Sequence, residues 1–135
     1  MGTPVKDLQG ITEAILETLT GQGIKDNEQF VEAAASPAQR KELASACNCT
    51  AKDILQLANR ADLARVKGVS GIYGDLLEHA GVDTIKELAT RKPANLHAKL
   101  TETNDSMSLT QRPPTEAQIE DWVAQAKELP KMLTY

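Results

Sequence analysis

Apolar residues recur along most of the chain at spacings of three and four, which is the period of an α-helix with one buried face. The stretch that follows Thr50 shows this spacing at Ile54, Leu57, Ala58 and Ala61. No stretch alternates apolar and polar residues over the length of a strand, and β-branched residues are not enriched. The pattern therefore predicts an all-α protein.

Capping residues indicate where the helices begin and end. Ser36 is followed by Pro37 and Gln39, which are the residues of a capping box with proline in the first turn. Thr50 is placed to cap a further helix, and Asn48 just before it favours a left-handed helix end. The helices predicted in this way span about residues 12–20, 27–35, 37–46, 51–60, 71–79, 85–91, 93–103 and 116–128.

The sequence overlays itself when it is shifted by 58 positions. Gly10 then meets Gly68, Gly23 meets Gly81, and apolar residues between them also match. Because both pairs of glycines fall in register with the apolar positions, we interpret the chain as two copies of one helical unit.

A second match appears at a shift of 65, which pairs Leu57 with Trp122 and Thr50 with Thr115. The equivalence with a leucine predicts that Trp122 packs in a core and does not stack on a ligand. The additional residues of the second copy fall in or near the polar segment from Thr103 to Pro114, which is predicted to be an inserted surface loop.

The two copies determine the predicted domain organisation. The first repeat covers residues 5–61, the second covers residues 62–130, and residues 131–135 form a tail. A short helix is expected near the start of each repeat, at Val5 to Leu8 and at Asp62 to Val66. The two repeats are expected to pack against each other as a single compact domain.

Composition restricts the classes of protein to which the chain can belong. Only 3% of its 135 residues are aromatic, so the core must consist mainly of aliphatic side chains. The net charge of −4 disfavours capture of a polyanion by the whole surface. No apolar run approaches the roughly 20 residues of a membrane span, and the first residues do not form a secretion signal, so we expect a cytoplasmic location.

Each predicted repeat begins with a glycine-containing bend that precedes a helix. Val66-Lys67-Gly68-Val69 and Leu8-Gln9-Gly10-Ile11 share one pattern and resemble the helix-hairpin-helix motif of SAM-like helical folds. In DNA-binding members of that motif, backbone amides at the start of the second helix hold a phosphate. The resemblance therefore implies a phosphate contact as one use of the bend, because free amides and the helix dipole face the anion.

The segments from Asn59 to Leu100 and from Arg112 to Pro130 resemble a bacterial domain family of unknown function that is built from tandem helix-hairpin-helix-type repeats. The resemblance extends over nearly the whole chain, and it is specific in the second half. It implies an all-α fold of two repeats and assigns no activity.

The second bend is the better candidate for binding. The first bend continues with Thr12, whose hydroxyl can cap the helix, and with Glu13, whose carboxylate repels an anion. After the second bend, Ser70 is a suitable cap, and Ile72 stands where the DNA-binding motif has lysine. The residues predicted to contact a phosphate or a partner are Arg65, Lys67, Gly68, Val69, Ser70 and Gly71.

The remaining reactive residues do not form a recognisable catalytic or metal site. Cys47 and Cys49 lie one residue apart, but a zinc site needs further ligands at a matching spacing. His79 and His97 are far apart in the sequence, and no nucleophile motif or carboxylate pair stands out. We therefore expect no enzyme activity, no cofactor and no metal, and we interpret both cysteines as packing residues at a helix junction.

Two functions remain open from the sequence. The first is a non-catalytic interaction module that binds or scaffolds an unknown protein partner, through the seam between the repeats or an exposed helical face. The alternative is nucleic-acid binding, in which the second bend and nearby basic residues contact DNA phosphates. A small-molecule or metal carrier is a third, more remote hypothesis, and no membrane partner is expected.

Overall fold

The regular structure of the protein is helical, as the sequence predicts. A computed structural model describes residues 3–8, 10–69 and 71–135. Within these residues, the β-type backbone pairing consists of one isolated antiparallel bridge between Pro4 and Asp26. A short 3-10 helix, Val5–Asp7, precedes α1 (Glu13–Gly21), α2 (Asn27–Ala33), α3 (Pro37–Cys47), α4 (Ala51–Leu63), α5 (Ile72–His79), α6 (Ile85–Thr90), α7 (Pro93–Met107) and α8 (Glu116–Glu128). The all-α prediction is confirmed.

The described chain separates into two compact units. Unit 1 contains the described residues up to Arg65 together with Met132–Tyr135, which we call the tail segment, and unit 2 contains Val66–Lys131. In unit 1, α2 and α3 pack against α4, and α1 packs against α3. In unit 2, α6 and α7 pack against α8, and α5 packs against α7. The prediction that two repeats form a single domain stays a prediction.

The core of unit 1 is aliphatic apart from one phenylalanine. Phe30 of α2, Leu19 of α1 and Ile54 of α4 are completely shielded from solvent. Leu133 of the tail segment belongs to the same cluster and is 2% exposed. The tail segment therefore contributes a side chain to the core of unit 1.

The buried residues of unit 2 are likewise aliphatic, with one aromatic exception. Trp122 of α8 is 2% exposed, so the prediction that it packs in a core is confirmed. The largest fully buried side chains of this unit are Leu76, Leu77, Leu88, Leu96, Leu100 and Ile119. Burying one such side chain contributes roughly 1.5–3 kcal/mol relative to leaving it in water.

The predicted helix caps are present at most helix ends. Ser36 and Gln39 form a reciprocal capping box at α3, and Thr50 and Thr115 start equivalent boxes at α4 and α8. Asn48 ends α3 with φ 56° and ψ 45°, the left-handed conformation predicted from the sequence. Each N-cap of this type is worth about 1 kcal/mol, so the caps fix helix starts that periodicity alone leaves uncertain.

The prediction of a separate short helix from Asp62 to Val66 is wrong. Asp62 and Leu63 are the last residues of α4, which is longer than predicted, and the chain then turns at Ala64. The reason is burial: Leu63 is 1% exposed and Asp62 is 5% exposed, so the buried face of α4 continues past the predicted end. Because Asp62 is charged, the apolar pattern of the sequence does not predict that α4 extends through it.

The segment from Thr103 to Pro114 is only partly a loop. Helix α7 continues to Met107, and Ser108 then terminates it with φ 52° in the left-handed region. The side chain of Asn104 holds the turn that follows. Its Nδ2 donates to the carbonyl of Thr110 at 2.9 Å, and its Oδ1 accepts from the Thr110 N–H at 3.0 Å. The polar composition of this stretch therefore reflects an ordered turn as well as exposure.

Asn27 joins three distant parts of unit 1. Its side-chain oxygen accepts from the Thr3 N–H at 2.7 Å, and its amide nitrogen donates to the carbonyl of Ala61 at 3.0 Å. The Asn27 N–H also donates to the carbonyl of Thr3 at 2.8 Å. Asn27 is fully buried, and these bonds satisfy polar groups that would otherwise destabilise the fold.

No helix among the residues described is both long and apolar enough to span a bilayer.

Candidate interaction sites

The second bend is a tight turn whose backbone conformation requires glycine. The N–H of Val69 donates to the carbonyl of Val66 at 3.0 Å, which closes the turn. Gly68 has φ +95°, and Gly71 combines φ +56° with ψ −122°, conformations that residues with a side chain adopt only with strain. Val69 is 1% exposed, so the side chain of this predicted contact residue is buried.

Lys67 is held at the bend through its backbone. Its N–H donates to Gln125 Oε1 at 2.8 Å, and its carbonyl accepts from Gln125 Nε2 at 3.2 Å. Asp121 orients Gln125, because its carboxylate accepts from the same Nε2 at 2.8 Å. Hydrogen bonds to Gln125 therefore hold the backbone of the bend against α8, while Lys67 itself remains exposed.

Trp122 lies directly behind Gly68. A Cβ atom added to Gly68 would lie 2.9 Å from Trp122 Nε1, closer than packed atoms tolerate. The ring of Tyr73 in α5 is 5.5 Å from the ring of Trp122, and its hydroxyl donates to the carbonyl of Arg112 at 2.8 Å. Gly68 is thus required both for its φ angle and for the close approach of an indole ring.

The start of α5 differs from the sequence-based expectation. Its N-cap is Gly71, which offers no side-chain hydrogen bond to the first turn, and the predicted cap Ser70 lies outside the described residues. Ile72, the first helical residue, is 49% exposed. Its N-cap residue therefore supplies no side-chain acceptor, unlike the N-cap residues of α1, α2, α3, α4, α6 and α8.

Arg65 belongs to unit 1, and its side chain is already engaged. Its guanidinium Nη1 lies 2.7 Å from Asp62 Oδ1, and both side chains are less than 10% exposed. A buried ion pair is costly to break, because the remaining charge loses its partner. Of the six predicted site residues, unit 2 therefore places Lys67, Gly68, Val69 and Gly71 on its bend.

The first bend has a similar backbone and a complete cap. Gly10 has φ +88°, and the added Cβ would meet Leu57 Cδ2 at 3.9 Å, an ordinary contact. Thr12 Oγ1 accepts from the N–H of Ile15 at 3.2 Å, and Glu13 is the first residue of α1. A hydroxyl and a carboxylate at this helix start compete with an anion for the same amides.

Arg40 is the most buried cation that the structure places in unit 1, and the sequence analysis missed it. It is 4% exposed on the face of α3 that also carries Leu43, Ala44 and Cys47. Its Nη1 donates to the carbonyl of Ala34 at 2.8 Å, and its Nη2 donates to the carbonyl of Thr134 at 2.6 Å. A basic residue within a helical apolar stripe is the signal that could have revealed this site.

The tail segment is bound to unit 1 through its backbone and an aromatic side chain. Thr134 donates to the carbonyl of Ala35 from its N–H at 2.7 Å and from its hydroxyl at 3.1 Å. The Tyr135 ring lies 5.8 Å from Arg40 Cζ, and its hydroxyl donates to Asn59 Oδ1 at 3.2 Å. We call Ala35, Arg40 and Asn59 the Arg40 site, because together they hold the segment.

The two cysteines lie at the junction of α3 and α4. Both are free, Cys47 is the buried last residue of α3, and Cys49 is partly buried. Burial raises the pKa of the Cys47 thiol, while hydrogen bonding from Thr18 and Cys49 lowers it in part. Burial also raises the pKa of Cys49, and the nearby charges of Cys47 and Asp53 raise it further.

The histidines occupy ordinary helical positions. His79 is exposed at the end of α5, where Nδ1 lies 2.9 Å from the carbonyl of Asp75, and His97 is a partly exposed residue of α7. Across residues 3–8, 10–69 and 71–135, no group of three or more His, Cys, Asp and Glu is arranged to hold a metal ion.

A family described as "Domain of unknown function (DUF4332)" matches residues 9–129. The chain belongs to this family. The DUF4332 match includes all of α1 to α8, whereas the tail segment lies beyond its last matched residue. No curated protein and no solved structure matches the chain. The bacterial origin and the helix-hairpin-helix character of the family resemblance stay predictions.

Proposed function

We propose that the protein is a non-catalytic interaction module that binds an extended peptide segment of a protein partner at the Arg40 site. The observation that carries this proposal is the tail segment, which lies at that site as a bound peptide would. Its main-chain groups bond to Ala35 and Arg40, and Leu133 is inserted in the core. Backbone hydrogen bonds with a few side-chain anchors are a recurring mode of peptide recognition.

The contacts also indicate the chemistry of the partner segment. Leu133 requires an apolar anchor, and Thr134 donates a second bond from its hydroxyl to the Ala35 carbonyl. Tyr135 stacks on the Arg40 cation and reaches Asn59 with its hydroxyl. A matching partner segment therefore has an apolar residue, a small hydroxyl residue and an aromatic residue in succession. The tail segment is then a ligand in cis that a partner must displace.

We further propose that the two units are helix-hairpin-helix-type repeats. Gly10 and Gly68, which the first shift pairs, both have φ close to +90°, and so do Gly23 at +83° and Gly81 at +92°. The residue behind each bend glycine is Leu57 in unit 1 and Trp122 in unit 2, the pair given by the second shift. These coincidences support common descent of the units.

Competition with a labelled peptide tests the Arg40 site. A fluorescent peptide with the sequence of residues 131–135, KMLTY, is titrated into the intact chain and into the Leu133→Glu variant. Leu133→Glu removes the apolar anchor in cis and is expected to open the site. Binding should then be tighter than to the unchanged chain, in which the tethered segment competes at high effective concentration.

The matched control is the double variant Arg40→Met with Leu133→Glu. Methionine approximates the length and the apolar stem of arginine but cannot donate to the Thr134 carbonyl, so binding should fall to the background level. Circular dichroism on each variant verifies that the helices remain folded. Equal binding to both variants, or to neither while both are folded, would contradict the proposal.

A second function, nucleic-acid binding by unit 2, is supported by the start of α5. The N-cap Gly71 has no side chain that could accept from the first turn, although Asp75 places one negative charge there, and Lys67 is exposed on the preceding bend. Charge is less favourable, since unit 2 carries eight basic and ten acidic residues. The bend is therefore proposed as a local phosphate contact and not as part of a basic surface.

Fluorescence anisotropy with labelled duplex and single-stranded DNA tests this alternative. Binding should be present at about 20 mM salt, decrease steeply by about 200 mM, and be lost in Lys67→Glu. Lys41→Glu in α3 of unit 1 is the control, because it makes the same change in net charge at an exposed lysine. Equal losses in both variants would indicate a general charge effect and would exclude the bend.

A further inference from the structure

We propose that Cys47 and Cys49 form a reversible intramolecular disulfide, which is a modification site at the junction of α3 and α4. Both thiols are free, and one residue, Asn48, separates them. Cys49 is partly exposed and accessible to a reagent, whereas Cys47 is 5% exposed at the end of α3. This inference is independent of the proposed function, since neither cysteine belongs to the Arg40 site.

The backbone at Asn48 brings the two cysteines to disulfide distance. The separation of Cα atoms on either side of a residue depends on its φ and ψ, which are 56° and 45° at Asn48. These are mirror-image helical values, and helical geometry separates Cα atoms two residues apart by about 5.4 Å. Disulfides are found at Cα separations of roughly 4.4–6.8 Å, so the Cα separation at this turn is compatible with a bridge.

Two further contacts keep this turn in place. The Cys49 N–H donates to the carbonyl of Ala44 at 2.9 Å, which anchors the second cysteine to the end of α3. The thiol of each cysteine also alters the pKa of the other, as expected of neighbouring sulfurs. The fold therefore presents the thiols as a pair.

The oxidation that the pair supports is exchange with a small-molecule disulfide of the glutathione type. The Cys49 thiolate, formed by loss of a proton to solvent, attacks one sulfur of the reagent and releases the other as a thiolate. Cys47 then loses its proton and attacks the Cys49 sulfur, which releases the second reagent thiolate and closes the ring. Two protein thiols are thereby oxidised, and one reagent disulfide is reduced to two thiols.

The bridge is expected to be easily reduced. A ring that encloses a single residue removes little chain entropy from the unfolded state, so it contributes little stability. Small rings also depart from relaxed disulfide geometry, and strained disulfides are the more reducible ones. These properties are typical of a regulatory dithiol and not of a structural bridge.

Mass spectrometry after oxidation tests the proposal. The chain is incubated with oxidised glutathione at mildly alkaline pH, quenched with acid, treated with iodoacetamide and digested with trypsin. One tryptic peptide, residues 42–52, contains both cysteines. In the oxidised chain this peptide should have lost two hydrogen atoms and should carry no alkyl group, and dithiothreitol should restore two alkylation sites.

Single-serine variants provide the controls. Cys47→Ser should stop at a stable mixed disulfide on Cys49, since no second thiol is present to close the ring. Cys49→Ser should react more slowly, because its remaining thiol is buried. Two glutathione adducts, two alkyl groups or only disulfide-linked dimers in the unchanged chain would overturn the proposal.

Repeating the oxidation in concentrated urea shows whether the fold or only the sequence creates the site. At one fixed ratio of oxidised to reduced glutathione, the folded chain should contain severalfold more bridged protein than the unfolded chain. An equal or larger bridged fraction in urea would overturn the role assigned to the Asn48 turn.

Discussion

The bend of unit 1 and the bend of unit 2 each use a glycine with strongly positive φ, at +88° for Gly10 and +95° for Gly68. They differ in the residue behind that glycine. Leu57 leaves 3.9 Å to an added Cβ, whereas Trp122 leaves 2.9 Å. The two similar backbone turns are therefore loosely packed in one unit and tightly packed in the other, so a similar φ angle does not imply a similar tolerance to substitution.

The helices that follow the two bends differ in a second respect. Helix α1 starts with a threonine cap and a glutamate, so its amides are occupied and its first turn carries negative charge. Helix α5 also has an acidic residue in its first turn, Asp75, but its N-cap Gly71 has no side chain that could accept from the helix. The two helix starts therefore differ in their caps, and both carry one acidic residue in the first turn.

The largest difference between the units is expected for alanine at the bend glycine. Gly68→Ala should lower the free energy of unfolding by about 2–4 kcal/mol, because it adds steric overlap with Trp122 to the strain of a positive φ. Gly10→Ala should cost only about 1–2 kcal/mol, since strain is the sole penalty. Urea unfolding followed by circular dichroism measures both.

The tight packing behind Gly68 can be tested by a double variant. Trp122→Leu introduces the residue that unit 1 has at this position, so it should reduce the additional cost of Gly68→Ala to nearly that of Gly10→Ala. Additive effects of the two substitutions would show that the indole ring is not the cause.

Gly71→Ala is expected to destabilise the chain by about 1–3 kcal/mol, the range for a residue in a sparsely populated region of φ and ψ. Apart from the chain neighbours of Gly71, no atom of the described residues lies within 4 Å of the added Cβ, so steric overlap with the rest of the fold does not contribute. Trp122 is the only tryptophan of the chain, and its fluorescence during urea unfolding reports the loss in unit 2. An unchanged midpoint would refute the role assigned to Gly71 at the start of α5.

Thr12→Ala should cost about 1 kcal/mol, because α1 loses the hydroxyl that accepts from Ile15. Thr12→Ser retains the hydroxyl and is the matched control, with little change expected. Chemical unfolding by circular dichroism measures both variants. Equal losses in the alanine and serine variants would mean that the methyl group, and not the cap, stabilises this helix start.

The smallest effect is expected from alkaline pH, and it should arise in unit 1, which contains both cysteines. The pKa values of Cys47 and Cys49 are raised from the ordinary 9.0, so the unfolded thiols ionise first. Their contribution to stability is therefore present below about pH 9 and is lost as pH rises through the folded pKa values. The Cys47→Ser, Cys49→Ser double variant should lose less stability between pH 7 and about pH 10. A loss equal to that of the unchanged chain would contradict this assignment.

Local patterns predicted much of this fold from the sequence. The caps at Ser36, Thr50 and Thr115 act within one helical turn, and the burial of Trp122 was predicted because the shift of 65 positions aligns it with a leucine. The Arg40 site could not be predicted in the same way, because Arg40 and Thr134 are 94 positions apart. A contact of that separation depends on the tertiary fold, and no local propensity encodes it.

One further error has a specific physical cause. Helix α4 continues through Asp62 because an ion pair with Arg65 makes a buried carboxylate tolerable, whereas the apolar pattern alone does not predict a charged residue on a buried face. At the second bend, the N-cap of α5 is Gly71, and the predicted cap Ser70 lies outside the described residues.

Asn27 has a consequence for how the protein opens. Its side chain joins Thr3 to the end of α4, so isotope exchange at the Thr3 amide reports on a segment far along the chain. Partial unwinding of α4 at Ala61 would leave the Asn27 amide without its acceptor and weaken its hold on Thr3. Faster hydrogen exchange at the Thr3 amide would thus indicate that the end of α4 has begun to unwind.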